Sequence, residues 1–162
     1  MARANFVAKA QKDNPVALKG ESYWWWKFRY GPKRFSKTRP ERHQLTQSAF
    51  YSQLWQLEDD FERTVHEINT VEELPELIES MSADLEALME ECQESLEAMP
   101  ESLQESSASG ELLTERIEGL DGWINELQNI DISIEDATTE EEEEEALENI
   151  KDEILSTNPG LA

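Results

Sequence analysis

The chain has 162 residues, 14 Lys+Arg against 37 Asp+Glu and a formal net charge of −23, which allows one modest domain or a small module joined to a helical one, under a mostly acidic, hydrated surface. Its single cysteine, Cys92, excludes a disulfide within the chain, and one cysteine with two histidines, His43 and His66, falls short of the usual structural zinc site, so a reducing, cytoplasmic setting is expected. No stretch approaches the ~18 consecutive apolar residues of a membrane helix, and the opening MARANFVAKAQKDNP lacks a signal-peptide core, so no membrane insertion or export by those routes is expected.

Charge is divided along the chain. Residues 1–45 hold 11 of the 14 basic residues beside Asp13, Glu21 and Glu41, a balance of +8. Residues 46–162 hold Arg63, Arg116 and Lys151 against 34 carboxylates, a balance of −31. Glycine and proline also concentrate early (Pro15, Gly20, Gly31, Pro32, Pro40), and residues 40–46 read as the junction. The expected fold class is therefore α+β: a basic aromatic β-hairpin module over 1–45, followed by an acidic helical domain over 46–162, as an α-helical bundle or coiled-coil hairpin.

In the first part, residues 22–30 (SYWWWKFRY) run into Gly31-Pro32 and then KRFSKT, the form of two strands around a short turn. A period of two puts Tyr23, Trp25, Lys27 and Arg29 on one face and Trp24, Trp26, Phe28 and Tyr30 on the other. The purely aromatic second face is expected to be buried, most simply against the first helix, which leaves Trp25, Lys27 and Arg29 presented outward. Lys33, Arg34, Lys37, Arg39 and Arg42 carry the charge onward. Because an isolated hairpin is marginal, a third strand or a helix must support it. Cations interleaved with indoles suit nucleic acid, since ammonium and guanidinium groups neutralise phosphates while rings stack on bases. The candidate DNA- or RNA-binding residues are Trp25, Lys27, Arg29, Lys33, Arg34, Lys37 and Arg39. The competing reading makes the tryptophans a small core and the cations an ordinary solvated surface, or a charge that docks on the chain's own acidic helices.

The run YWWWKFRYGPKRFSKT, an aromatic strand, a turn and a basic strand, resembles the arm-binding β module of phage integrases over about 20 residues, without any integrase catalytic segment after it. MARANFVAKAQKDNP, ESYWWWKFRYGPKRFSKT and QLTQSAF together resemble small uncharacterised proteins encoded by phages and prophages. That resemblance implies a phage setting, hence the host cell cytoplasm, and no activity.

From Ser48 the period changes. Phe50, Leu54, Leu57, Phe61, Val65 and Ile68 form the stripe of a first helix. Thr70 and Glu73 form a capping box for a second, whose seam is Val71, Leu74, Ile78, Met81, Leu85, Leu88 and Cys92, with Pro75 near its start or delaying that start by a turn. Pro100 and SSASG at 106–110 predict a helix end and a loop. A third helix carries Leu113, Ile117, Leu120, Ile124 and Leu127 with Trp123 beside them, where Gly119 and Gly122 weaken it or permit close packing. After a connection over 131–139, the six glutamates 140–145 open a last short helix with Ala146, Leu147, Ile150, Ile154 and Leu155 inward. An antiparallel bundle is the economical arrangement, with self-association of the seams into a homo-oligomer as the alternative.

Catalytic chemistry is sparse. Neither histidine has a partner in a nucleophile or metal motif, Cys92 occupies a core position, the paired glutamates lack the Glu-x-x-His of carboxylate-bundle metal sites, and no glycine-rich phosphate loop occurs. The expectation is a protein that works by binding, with no cofactor. Two functions follow: a nucleic-acid-associated adaptor, its hairpin on DNA or RNA and its acidic helices on a protein partner; or an acidic nucleic-acid mimic whose carboxylates occupy the basic groove of a host DNA- or RNA-processing defence enzyme.

Overall fold

A computed structural model describes residues 1–134 and 137–161. The protein is α+β, a three-stranded antiparallel sheet at the N-terminus followed by a helical region. It divides into two compact units, Met1–Glu58 and Asp59–Ala162, and the division falls inside a helix that begins in the first and ends in the second. No helix among the described residues is long and apolar enough to cross a membrane.

The first unit is built on β1 (Asn5–Val7), β2 (Tyr23–Lys27) and β3 (Lys33–Ser36), with β2 central. β1 is the third strand that the hairpin needs, and it aligns Asn5, Phe6 and Val7 with Trp25, Trp24 and Tyr23. The loop between β1 and β2 is knitted by its own polar groups: Asn14 Oδ1 accepts the amides of Val16 and Ala17 at 3.0 and 2.9 Å, and Asp13 accepts that of Lys19 at 2.7 Å. β2 stops at Lys27, short of the sequence expectation, because the Gly31 amide donates to the Phe28 carbonyl at 3.3 Å and turns the chain over 28–32. After a 3-10 turn over Arg42–Leu45, α1 (Ala49–Glu67) starts; the Ala2 amide donates to the Leu45 carbonyl at 2.7 Å and fastens the N-terminus to that turn.

In the second unit, Phe61 and Val65 of α1, with Ile68 just beyond it, are buried, as the stripe requires. The Thr70–Glu73 capping box is formed, but it caps a 3-10 turn, Val71–Glu73, after which α2 (Leu74–Glu97) begins with Pro75 in its first turn. Leu74, Ile78, Met81, Leu85, Leu88 and Cys92 are buried along one side of α2, joined by Leu77. α2 packs along α4 (Ala108–Gln128), the two linked by a single short turn of helix, α3 (Glu101–Gln104). The SSASG segment is not the expected loop through residue 110: the Ser107 hydroxyl accepts the Gly110 amide at 3.0 Å, so the serine caps α4 and the helix starts at Ala108. Leu120, Trp123, Ile124 and Leu127 of α4 are buried. α5 (Glu140–Ser156) is longer than the short helix expected, opens with a capping box between Thr139 and Glu142, and buries Leu147, Ile150 and Ile154. The connection expected over 131–139 falls partly outside the described residues. Beyond α5, Thr157 accepts the indole N–H of Trp123 at 2.8 Å, and the backbone of Pro159 lies against Gly119, where a Cβ would come within 2.7 Å of its carbonyl oxygen. The close-packing role of Gly119 is thereby explained.

Candidate nucleic-acid interface

β2 alternates as its period of two requires. Tyr23, Trp25 and Lys27 share a face with Lys33 and Phe35, and Trp24 and Trp26 share the other with Phe6, Arg34 and Ser36. The burial of these faces differs from the sequence expectation in two ways. Trp26 and Phe28 are buried at 5% and 7% exposure, but of the other residues assigned to the same covered face Trp24 is half-buried and Tyr30 is 86% exposed. The alternation ends with the strand at Lys27, and Tyr30 rides the turn instead. Trp25, expected to point outward, is only half-buried, flanked across the sheet by Asn5 and Phe35, and the Lys33 ammonium stands 4.4 Å from its ring centre.

Five of the eleven cations of this unit lie on rings. Besides Lys33 on Trp25, Arg34 lies 5.1 Å from the centre of Phe28, Arg39 5.9 Å from Trp24 and Arg29 5.3 Å from Tyr30, each within cation–π range. Arg42 does the same with Trp55 at 4.4 Å, and also reaches Glu58 at 2.8 Å. Lys37 differs from the other candidates: its ammonium contacts the Glu21 carboxylate at 2.6 Å. That hydrogen bond, aided by the Leu18 amide, holds the Glu21 carboxyl below its ordinary value.

The structure therefore brings some candidates together and separates others. Trp25, Lys27 and Lys33 share one face; Arg34 stands on the opposite face, where Arg39 reaches Trp24; Arg29 sits in the turn between the strands. Lys27 and Lys33 form the last cross-strand pair before the turn, two like charges directly opposed. Such a pair destabilises an antiparallel ladder by about 0.2–1 kcal/mol, and an anion bridging the two ammonium groups would relieve it. Lys27, Arg29, Lys33, Arg34 and Arg39 are all exposed and, among the described residues, none makes an ion pair. Sequence reasoning missed β1, whose three residues are too few to show alternation, and the exposure of Tyr30. The Gly31-Pro32 turn carried the signal for the hairpin but not for its register, because the turn takes in residues 28–32 and sets Lys27 opposite Lys33.

The second unit is opposite in sign, with 33 carboxylates and three cations. Arg63 pairs with Asp60, and Lys151 with Glu148 at 2.8 Å. Three cations cannot neutralise such a surface, so Glu76, Glu79, Glu86, Glu90 and Glu94 stand as an exposed acidic row on α2. Cys92 is buried in the seam, and that burial pushes its thiol pKa up, away from nucleophilic use. No protein family, curated protein or solved structure matches the chain.

Proposed function

We propose that this protein is a non-enzymatic, nucleic-acid-associated adaptor, in which the N-terminal sheet contacts the phosphates of DNA or RNA and the acidic helices engage a basic protein partner. One observation carries the reading: in a chain with 37 carboxylates, five exposed cations around a single hairpin are left without a carboxylate and are supported mainly by aromatic rings instead. Rings fix the direction of a cation without neutralising it, which leaves its charge available for phosphate. The opposed Lys27–Lys33 pair adds a place where an anion is favoured.

The test is the salt dependence of oligonucleotide binding, followed by fluorescence anisotropy. Binding should weaken linearly in log–log form with salt. The combined variant Lys27→Gln, Arg29→Gln, Lys33→Gln should lower the slope by about 0.9 for each phosphate that it no longer neutralises on duplex DNA, or about 0.7 on single strands. A slope unchanged in the variant would overturn the reading. The acidic row on α2 favours the alternative, a nucleic-acid mimic. In that case the wild type binds no oligonucleotide, and a pull-down from cells recovers a nuclease-resistant complex with a DNA- or RNA-processing enzyme.

A further inference from the structure

We infer that Tyr30 is the base-stacking residue of the interface, and that the ligand of the sheet is single-stranded nucleic acid. The inference rests on the reading of the sheet as a nucleic-acid interface and adds which form of nucleic acid it takes. The argument is one of elimination among the rings. Trp26 and Phe28 are buried. Trp24 lies 5.0 Å from Phe6 and beneath Arg39, Tyr23 lies 6.0 Å from Phe35, and half-buried Trp25 lies beneath the Lys33 ammonium. Each of these rings has a neighbour on it and is at most half-exposed, and Phe6, at 54% exposure, lies against Trp24.

Tyr30 has an open face. At 86% exposure it is the most exposed large hydrophobic side chain of the described residues, and the Arg29 guanidinium, 5.3 Å from its centre, lies against it. A single exposed ring is ordinary on a protein surface. What sets Tyr30 apart is its position in a turn closed by the Lys27–Lys33 pair and carrying Arg29, where three uncompensated cations accompany one uncovered ring. A base laid on the free face of Tyr30 would be sandwiched with Arg29 behind the ring, while the two lysines meet the flanking phosphates. Bases inside a duplex are stacked on each other and offer no such face, so the ligand that satisfies ring and cations together has unpaired bases.

The experiment measures affinity of the full chain for a fluorescein-labelled mixed-sequence oligonucleotide, single-stranded and annealed to its complement, with wild type, Tyr30→Ala and Tyr30→Phe. Tyr30→Ala should weaken single-strand binding by about 5- to 150-fold, the range typical of removing one stacked base. Tyr30→Phe should retain it, and the salt slope should not change, because no cation has been removed. Duplex binding should be weaker and indifferent to Tyr30. Single-strand binding that survives Tyr30→Ala, or a duplex preferred over the single strand, overturns this inference while leaving the adaptor reading intact. A wild type that binds neither form overturns the adaptor reading itself. Thermal melting of Tyr30→Ala should match wild type, as expected for a side chain that is 86% exposed.

Discussion

Lys27 and Lys33 oppose each other across the closing pair of the β2–β3 ladder, and Lys33 bends back over Trp25. The arrangement is one that folding alone disfavours, which makes it a means of separating stability from binding. Lys27→Ala should leave the first unit equally stable or more stable by about 0.2–1 kcal/mol, read by urea denaturation. The same substitution should weaken oligonucleotide binding. A variant that loses stability and binding in proportion would make Lys27 merely structural.

The hydrogen bond from Trp123 Nε1 to the Thr157 hydroxyl ties α4 to the segment after α5. Thr157→Val should cost about 1 kcal/mol, because a part-buried indole N–H loses its acceptor. Trp123→Phe should cost more, since the ring is 4% exposed and packs edge-on against Phe61 at 5.8 Å. In a double-mutant cycle by chemical denaturation, the two losses should sum to more than the double variant shows.

Two glycines of α4 should respond oppositely to alanine. A Cβ at Gly110 would overlap the Gln104 carbonyl, whereas one at Gly122 meets open space. Gly122→Ala should therefore stabilise the helical unit by up to about 1 kcal/mol through helix propensity. Gly110→Ala should destabilise it, as the turn between α2 and α4 is forced outward. Melting temperatures of the two variants, compared with wild type, check both signs.

The Glu142 carboxylate accepts the amides of Thr138 and Thr139 and the Thr138 hydroxyl, and these bonds hold its pKa below the ordinary value. A group whose folded pKa is depressed contributes stability that is complete above its unfolded value, about 4.3, and is lost as pH falls through the folded one. Glu142→Gln should thus be less stable than wild type at pH 7, with the difference shrinking once pH drops below the ordinary carboxylate range. Glu141→Gln, in the same helical turn but outside the capping box, controls for the removal of one charge. Thermal melts between pH 7 and pH 3 test the comparison.

Helices were legible where repetition was long. The steps of three and four from Leu74 to Cys92 name six of the eight buried residues of α2 and miss Leu77 and Ser82, because a seam of several turns leaves a pattern that isolated exceptions do not erase. The start of α4 was not legible, since Ser107 and Gly110 are loop formers by composition and become a cap only through one hydrogen bond. In the candidate site, the alternation of β2 located Trp26 in the core but was carried past the strand end to Tyr30, where a turn had already replaced it. The seating of Arg34 on Phe28 and Arg39 on Trp24 depends on strand register and on chain that returns from elsewhere, and neither is written in local spacing.

The central place of β2 also bears on the chain before it folds. Tyr23 to Trp26 is an uncharged run of four aromatic residues, and it is flanked only once strands on both sides have docked. Until then it is a template on which a second unfolded chain could add a strand. Lys27, Arg29, Lys33 and Arg34 follow that run closely, and β1 and β3 are short. The cations of the proposed interface thus serve as gatekeepers during synthesis, and variants that strip several of them at once should be made by exchange with polar residues, so that a loss of binding is not a loss of soluble chain.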